Sequence, residues 1–162
     1  MRKTLVTLLL FSLFVVWAHA NTVPTVYQID IRKEIGATTW IYLKKGFAEA
    51  AKADAKVIIL KLNTYGGEVV YADSMRTRIL NSNIPVIAFI DNNAASAGAL
   101  IAIACQKIYM RAGASLGAAT VVDQTGGQMP DKYQSYMRAT IRSTAEAHGK
   151  ETVISGKDTL IQ

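Results

Sequence analysis

Hydrophobic and polar positions run along this chain in two rhythms that replace each other. "TVYQIDI" (25–31) has the β-rich pattern of a strand. "TTWIYLKKGFAEAAKADA" (38–55) sets good helix formers around apolar Ile41, Phe47, Ala48 and Ala51, which predicts a helix. "KVIILKL" (56–62) is a dense apolar run, the mark of a strand buried on both faces. After the loop "NTYGG", Glu68 to Leu80 reads as a helix with Val69, Ala72, Met75 and Ile79 at helical spacing. "IPVIAFI" (84–90) is the next buried strand, with Pro85 near its start. A short run "KIYM" (107–110) and a Gly/Ala loop follow. The last clear element is a helix over 131–148, with Pro130 at its first position and Gly149 as its stop. Its stripe is Tyr133, Tyr136, Met137, Thr140, Ile141 and Thr144.

Strands alternating with helices predict an α/β fold with a parallel sheet flanked by helices. With 162 residues, the chain can build one domain with a substantial core. Residues are 51% hydrophobic and 19% charged, which excludes a disordered chain. The net charge of +6 is spread along the sequence. No basic run is interleaved with aromatics, so nucleic-acid binding has no support. "MRKTLVTLLLFSLFVVWAHA" has a basic start, an apolar stretch and an Ala18-His19-Ala20 cleavage site. It reads as a signal peptide over 1–20, with a domain over 21–162 and export from the cytoplasm. The tail "KETVISGKDTLIQ" has no element that looks like an ending, so the domain is expected to be cut short. Cys105, the lone cysteine, rules out an internal disulfide and is expected to be buried. With one Cys and two His, no zinc cluster is expected.

The candidate chemistry lies in "NNAASAGALIAIAC" (92–105), where Ser96 is the one hydroxyl in an apolar or tiny-residue segment. It follows a buried strand, where α/β proteins place their sites. At a helix start its neighbours offer unpaired N–H groups suited to an oxyanion. The bland alternative is a serine that merely caps the helix. A second glycine-rich strand exit, "NTYGGEV" (63–69), can aim backbone N–H groups into the same crevice. The base for such a serine is either His148, placed like a helix C-cap, or a lysine made neutral by burial. Lys132, at the start of the last helix, is the candidate, although a single lysine is ordinarily a solvated surface charge.

In order, "VIILKLNTYGGEV", "IPVIAFIDNNAASAGALIAIACQKIYM", "GASLGAA" and a Lys-led helix resemble the membrane-bound ClpP-class serine proteases, in particular the protease domain of NfeD-type proteins. The similarity runs from about Val26 to Lys150. It implies a ClpP/crotonase-like fold and a Ser–Lys dyad working without a cofactor. Ser96 matches the nucleophile and Lys132 the general base. Gly67 and Ala97 match the backbone oxyanion hole, with Gly66 shaping the turn. The resemblance further implies hydrophobic segments of membrane-associated, stomatin-like proteins as substrates or partners, a homo-oligomer, and a periplasmic or extracytoplasmic location. Soluble ClpP peptidases carry a histidine where this chain reads "GAATVVD", and its absence favours the dyad. Tyr65 stands where the family usually has proline.

Three other readings stay open. An α/β-hydrolase would use Ser96, Asp123 or Asp131, and His148 in that order. A crotonase-type acyl-CoA enzyme would share the oxyanion logic, but the signal peptide argues against the CoA-rich cytosol. A non-catalytic scaffold would leave Ser96 as a helix cap.

Overall fold

The computed structural model describes residues 24–149 apart from Ala118 and Gln124, and the backbone of Thr152–Ser155 and Asp158–Ile161. The expected signal peptide lies outside the described residues. The elements in chain order are β1 (Val26–Ile31), α1 (Ala37–Lys52), β2 (Val57–Thr64), α2 (Val69–Leu80), β3 (Val86–Ala95), α3 (Ala97–Ile103), β4 (Lys107–Met110), β5 (Ser115–Gly117) and α4 (Asp131–Glu146). An antiparallel pair, β6 (Thr152–Ser155) and β7 (Asp158–Ile161), follows.

The main sheet is parallel throughout, in the order β1-β2-β3-β4. β3 runs on past its partner β4, and its last residues pair with β5, Ala95 opposite Gly117. At the same level Thr64 of β2 faces Ala94, after a shift in register beyond Leu62. The C-terminal ends of β2 and β3 are therefore held side by side, which places both glycine- and alanine-rich exits at one edge.

The helices cover one face of the sheet. Ile29, Ile31, Ile58, Leu60, Leu62, Ala88 and Ile90 are buried there with Leu43 and Phe47 of α1, Met75 of α2 and Leu100 of α3. β2 alternates strictly between buried and half-buried residues. The expectation that β2 and β3 are buried on both faces is thus corrected. Their second faces, with Val57, Ile59, Ile87 and Phe89, are apolar in sequence but only half-covered. A run of apolar residues records what a strand could bury, not what covers it.

Two helices match their expected faces only in part: Phe47 in one and Met137, Ile141 and Thr144 in the other are buried as expected. In α1 the buried residues are Thr39, Leu43, Gly46, Phe47 and Ala50, while Ile41 is 62% exposed. Gly46 explains the difference in α1, because a Cβ there would lie 2.6 Å from Ile29 Cδ1. The helix meets the sheet at its least bulky position. In α4 the buried row is Gln134, Met137, Ile141, Thr144 and Ala145, and Tyr136 is 64% exposed. Pro130 is the N-cap of α4 rather than its first residue, and the helix ends at Glu146. Cys105 is buried as expected, its thiol 3.4 Å from the Ile101 carbonyl.

Candidate active site

The turn after β2 is built by two glycines that no other residue could replace in place. Gly66 and Gly67 have φ of +115° and +149°, values that side chains disfavour. A Cβ on Gly67 would lie 2.2 Å from the Ile35 carbonyl oxygen, and one on Gly66 would lie 2.7 Å from Ser96 Cβ. Ile35 fixes the turn: its N–H donates to the Gly66 carbonyl and its carbonyl accepts the Glu68 N–H, each at 2.8 Å. The Gly66 N–H donates to Thr64 Oγ1 at 3.2 Å. None of these bonds uses the Gly67 N–H.

Ser96 stands at the junction of β3 and α3, as the N-cap of α3, with φ +51° and ψ −117°. Asp54 is the one other non-glycine residue at positive φ among the described residues. Such a conformation costs on the order of 1–3 kcal/mol and persists because the surroundings enforce it. Here the Ser96 N–H is held by the Gly117 carbonyl at 2.9 Å, and its own carbonyl accepts the Ala99 N–H at 3.0 Å. The Ser96 side chain makes no capping hydrogen bond. A serine that caps a helix through its hydroxyl makes that bond. A strained strand-to-helix turn is also how hydrolases expose a nucleophilic serine. Gly98 lets α3 approach β2, since a Cβ there would meet Thr64 Cγ2 at 2.7 Å.

A cleft of about 50 Å³ opens beside Ser96. Gly67 and Ala97 line it, with Val69 and Ala72 of α2, Met137 of α4 and the segment 119–122. Ser96, Gly67 and Ala97, which the family resemblance joins in one site, are side by side around one space, with Gly66 against the serine. On the other side of the glycine turn lies a wider polar groove of about 400 Å³, lined by Arg32, Lys33, Asn63, Tyr65 and Asn92. Tyr65 is 81% exposed there.

Lys132 does not line this cleft. It is exposed in the first turn of α4, with Nζ 5.1 Å from the centre of the Tyr133 ring.

The residues of the α/β-hydrolase reading are not brought together. His148 Nε2 is 2.9 Å from the carbonyl of Ala104, the C-cap of α3. At about 1.5 Å per residue, that end of α3 is about 12 Å from Ser96. Asp123 is engaged elsewhere, its Oδ1 accepting from the Thr125 hydroxyl (2.7 Å), the Thr125 N–H (2.8 Å) and the Gly127 N–H (2.9 Å). The Thr125 hydroxyl, and then the Gly127 and Thr125 N–H groups, hold its carboxyl below the usual carboxylate range. Among the described residues no group of three or more His, Cys, Asp or Glu stands close enough to hold a metal.

One residue of the site is unforeseen in the sequence reading. Gln134 is buried in α4, and its Oε1 accepts the Val121 N–H at 3.0 Å. Its Nε2 donates to the carbonyls of Val121 (2.6 Å) and Met129 (3.1 Å). Its signal was the spacing 134, 137, 141, 144, 145, which places a glutamine on the buried row.

Comparison with known proteins agrees with this geometry. Residues 25–157 match the family model for the NfeD1b N-terminal domain. The chain is 36% identical over 151 residues to the membrane protein NfeD1b of Bacillus subtilis, covering 93% of this chain and 35% of that protein. It is 32% identical over 138 residues to the membrane-bound protease PH1510 of Pyrococcus horikoshii, covering 80% of this chain and 31% of that protein. The chain thus spans about a third of the length of the curated relatives it matches. Among solved structures, it is similar to the 1510-N membrane-bound stomatin-specific protease, a lysine-to-alanine mutant in complex with a substrate peptide. That likeness has TM-score 0.72 and 31% identity over 77% of this chain and 61% of the other. A serine-to-alanine mutant of the same protease gives TM-score 0.71 and 31% identity over 76% and 63%. A ClpP1 mutant from Listeria monocytogenes, at 18% identity over 76% and 72%, shares the fold with TM-score 0.61. Among the described residues no helix is long and apolar enough to cross a membrane. The parallel sheet, the glycine turn and the matched family model lead to one conclusion: the chain belongs to the NfeD1b N-terminal domain family and has the ClpP-like protease fold.

Proposed function

We propose that this chain is a serine endopeptidase with a Ser96–Lys132 dyad. The observation that carries the proposal is Ser96 itself, held at positive φ on a strand-to-helix turn, its hydroxyl not used in capping, beside a cleft. The Pyrococcus relative is a protease, and its structures include serine-to-alanine and lysine-to-alanine mutants, which favours a lysine partner for this serine. Ser96 Oγ attacks a peptide carbonyl while neutral Lys132 takes the hydroxyl proton. The N–H groups of Gly67 and Ala97 hold the oxyanion, and loss of one such donor costs about 3–4 kcal/mol in hydrolases. The C–N bond then breaks, Lys132 returns its proton to the leaving amine, and water releases the acyl group by the same route. Acting as the base requires Lys132 Nζ to leave Tyr133 and reach Ser96 Oγ from the rim of the cleft, with a seated substrate keeping water from that contact.

Substrates in this proposal are hydrophobic segments of membrane-associated proteins, stomatin-like ones among them. Export through residues 1–20 would place the domain at the extracytoplasmic face, and assembly as a homo-oligomer belongs to the same proposal. The exposure of Lys132 is the one observation that favours a non-catalytic binding or scaffold domain instead. Hydrolysis of a quenched hydrophobic peptide separates the two. The dyad predicts that Ser96→Ala and Lys132→Ala each lose roughly 10⁴-fold or more in kcat, while His148→Ala retains activity. A folded chain without hydrolysis, or one indifferent to Lys132→Ala, contradicts the dyad.

A further inference from the structure

The cleft beside Ser96 has a size and a lining that select among side chains. Ser96 and the two oxyanion N–H groups fix where an attacked carbonyl would lie. The α-carbon that bears this carbonyl is one bond away, so its side chain enters the space those residues share. That space is the cleft of about 50 Å³, and no ionisable side chain lines it among the described residues. Ala72 and Met137 are buried walls, and Val121 closes the cleft from the loop side. An apolar cavity of about 150 Å³ accepts a benzene-sized group, so one of this size holds about two or three carbons. A charged side chain would lose its hydration there without a partner.

The Val121 wall is not held by packing alone. Gln134 bonds both backbone groups of Val121 and also the Met129 carbonyl, as a neighbouring strand would. Its amide spends three hydrogen bonds on this one segment, and it does not itself line the cleft. We propose that the cleft is the subsite for the side chain preceding the scissile bond, that it takes short aliphatic residues of Ala or Val size, and that Gln134 is a positioning residue that fixes its Val121 wall. This rests on the peptidase reading above.

The test uses the full chain and four quenched peptides that differ only in Ala, Val, Leu or Phe before the scissile bond. Labelling of Ser96 by a fluorophosphonate probe runs in parallel. Wild type should favour Ala and Val over Leu by about tenfold or more in kcat/KM. Met137→Ala should bring Leu up to Val, and Val121→Leu should shift the preference towards Ala. Val121 is only half-buried, so that variant keeps the test intact if Met137→Ala fails to fold. Gln134→Met should flatten the preference mainly through KM, and Gln134→Glu should flatten it too, because its carboxylate would face the Val121 and Met129 carbonyls to which the amide donates. Equal cleavage after Val and Phe in wild type, or a preference unmoved by both wall variants, overturns the subsite. If Ser96 labels but none of the four peptides is cleaved, the subsite assignment falls alone. If a folded chain neither labels nor cleaves, the peptidase reading falls and takes the subsite with it.

Discussion

At the scale of the residue, Ser96 and the two glycines set the terms of the site. Ser96 carries a backbone strain that a glycine would not feel. Ser96→Gly should therefore raise the melting temperature, by an amount corresponding to about 1 kcal/mol, while abolishing reaction with serine-directed probes. Thermal melts and probe labelling on the same sample check both halves. Gly67→Ala should do the opposite to stability, because its Cβ would fall 2.2 Å from the Ile35 carbonyl oxygen and force the turn apart. A loss of about 2–3 kcal/mol, read by denaturant unfolding, is expected together with loss of labelling. Gly66→Ala combines a φ of +115° with a Cβ 2.7 Å from Ser96 Cβ, so it should reduce both stability and labelling. Cys105 and the bond between His148 and Ala104 belong to the packing around α3 rather than to the chemistry.

At the scale of the element, the segment between β5 and α4 is shaped by side chains standing in for a strand. Gln134 ties it to the helix, and Asp123 caps its Thr125–Gly127 turn. The carboxyl of Asp123 is held below its ordinary value, so the folded state binds its proton less readily than the unfolded chain does. Its contribution to the turn is present above the ordinary aspartate value of about 3.9 and is lost as pH falls through the lower folded value. Protection of the Thr125 and Gly127 amides, taken relative to their intrinsic exchange rates, should fall over that acidic range, and Asp123→Asn should remove that change in protection. The elements themselves were legible: β1, β2, α2 and β4 begin and end within a residue or two of where the hydrophobic rhythm puts them. The faces were less so. Ile41 and Tyr136 looked like core because they are apolar, yet Gly46 and Gln134 occupy the buried rows. A glycine and a glutamine gain their places from close approach and from hydrogen bonding, and neither shows in a hydrophobicity pattern. β3 extends five residues past Ile90, to Ala95, because β5 arrives to pair with it, a long-range event that no local window reports.

At the scale of the whole molecule, one contiguous core on one side of the sheet carries the fold. Leu60 is fully buried in the middle strand pair, and Leu60→Ala should cost about 2–5 kcal/mol through lost burial and the cavity left behind. A denaturant midpoint measured against wild type reads that loss. The same sheet brings the β2 and β3 exits together, so a weakened core should loosen the site as well. That the glycine-rich exit of β2 and the Ser96 exit of β3 could share a site was legible because consecutive parallel strands can end at the same edge, whereas the part of Ala97 came with the family resemblance. The position of Lys132 was not legible, since the path from β5 to α4 depends on Gln134 and Asp123 and not on any periodic pattern.

The most direct measurement is mass spectrometry of the folded full chain after reaction with a fluorophosphonate probe. The account predicts a single adduct on Ser96 that disappears in Lys132→Ala and persists in His148→Ala. A folded chain with no adduct, or with its adduct on another residue, would contradict it.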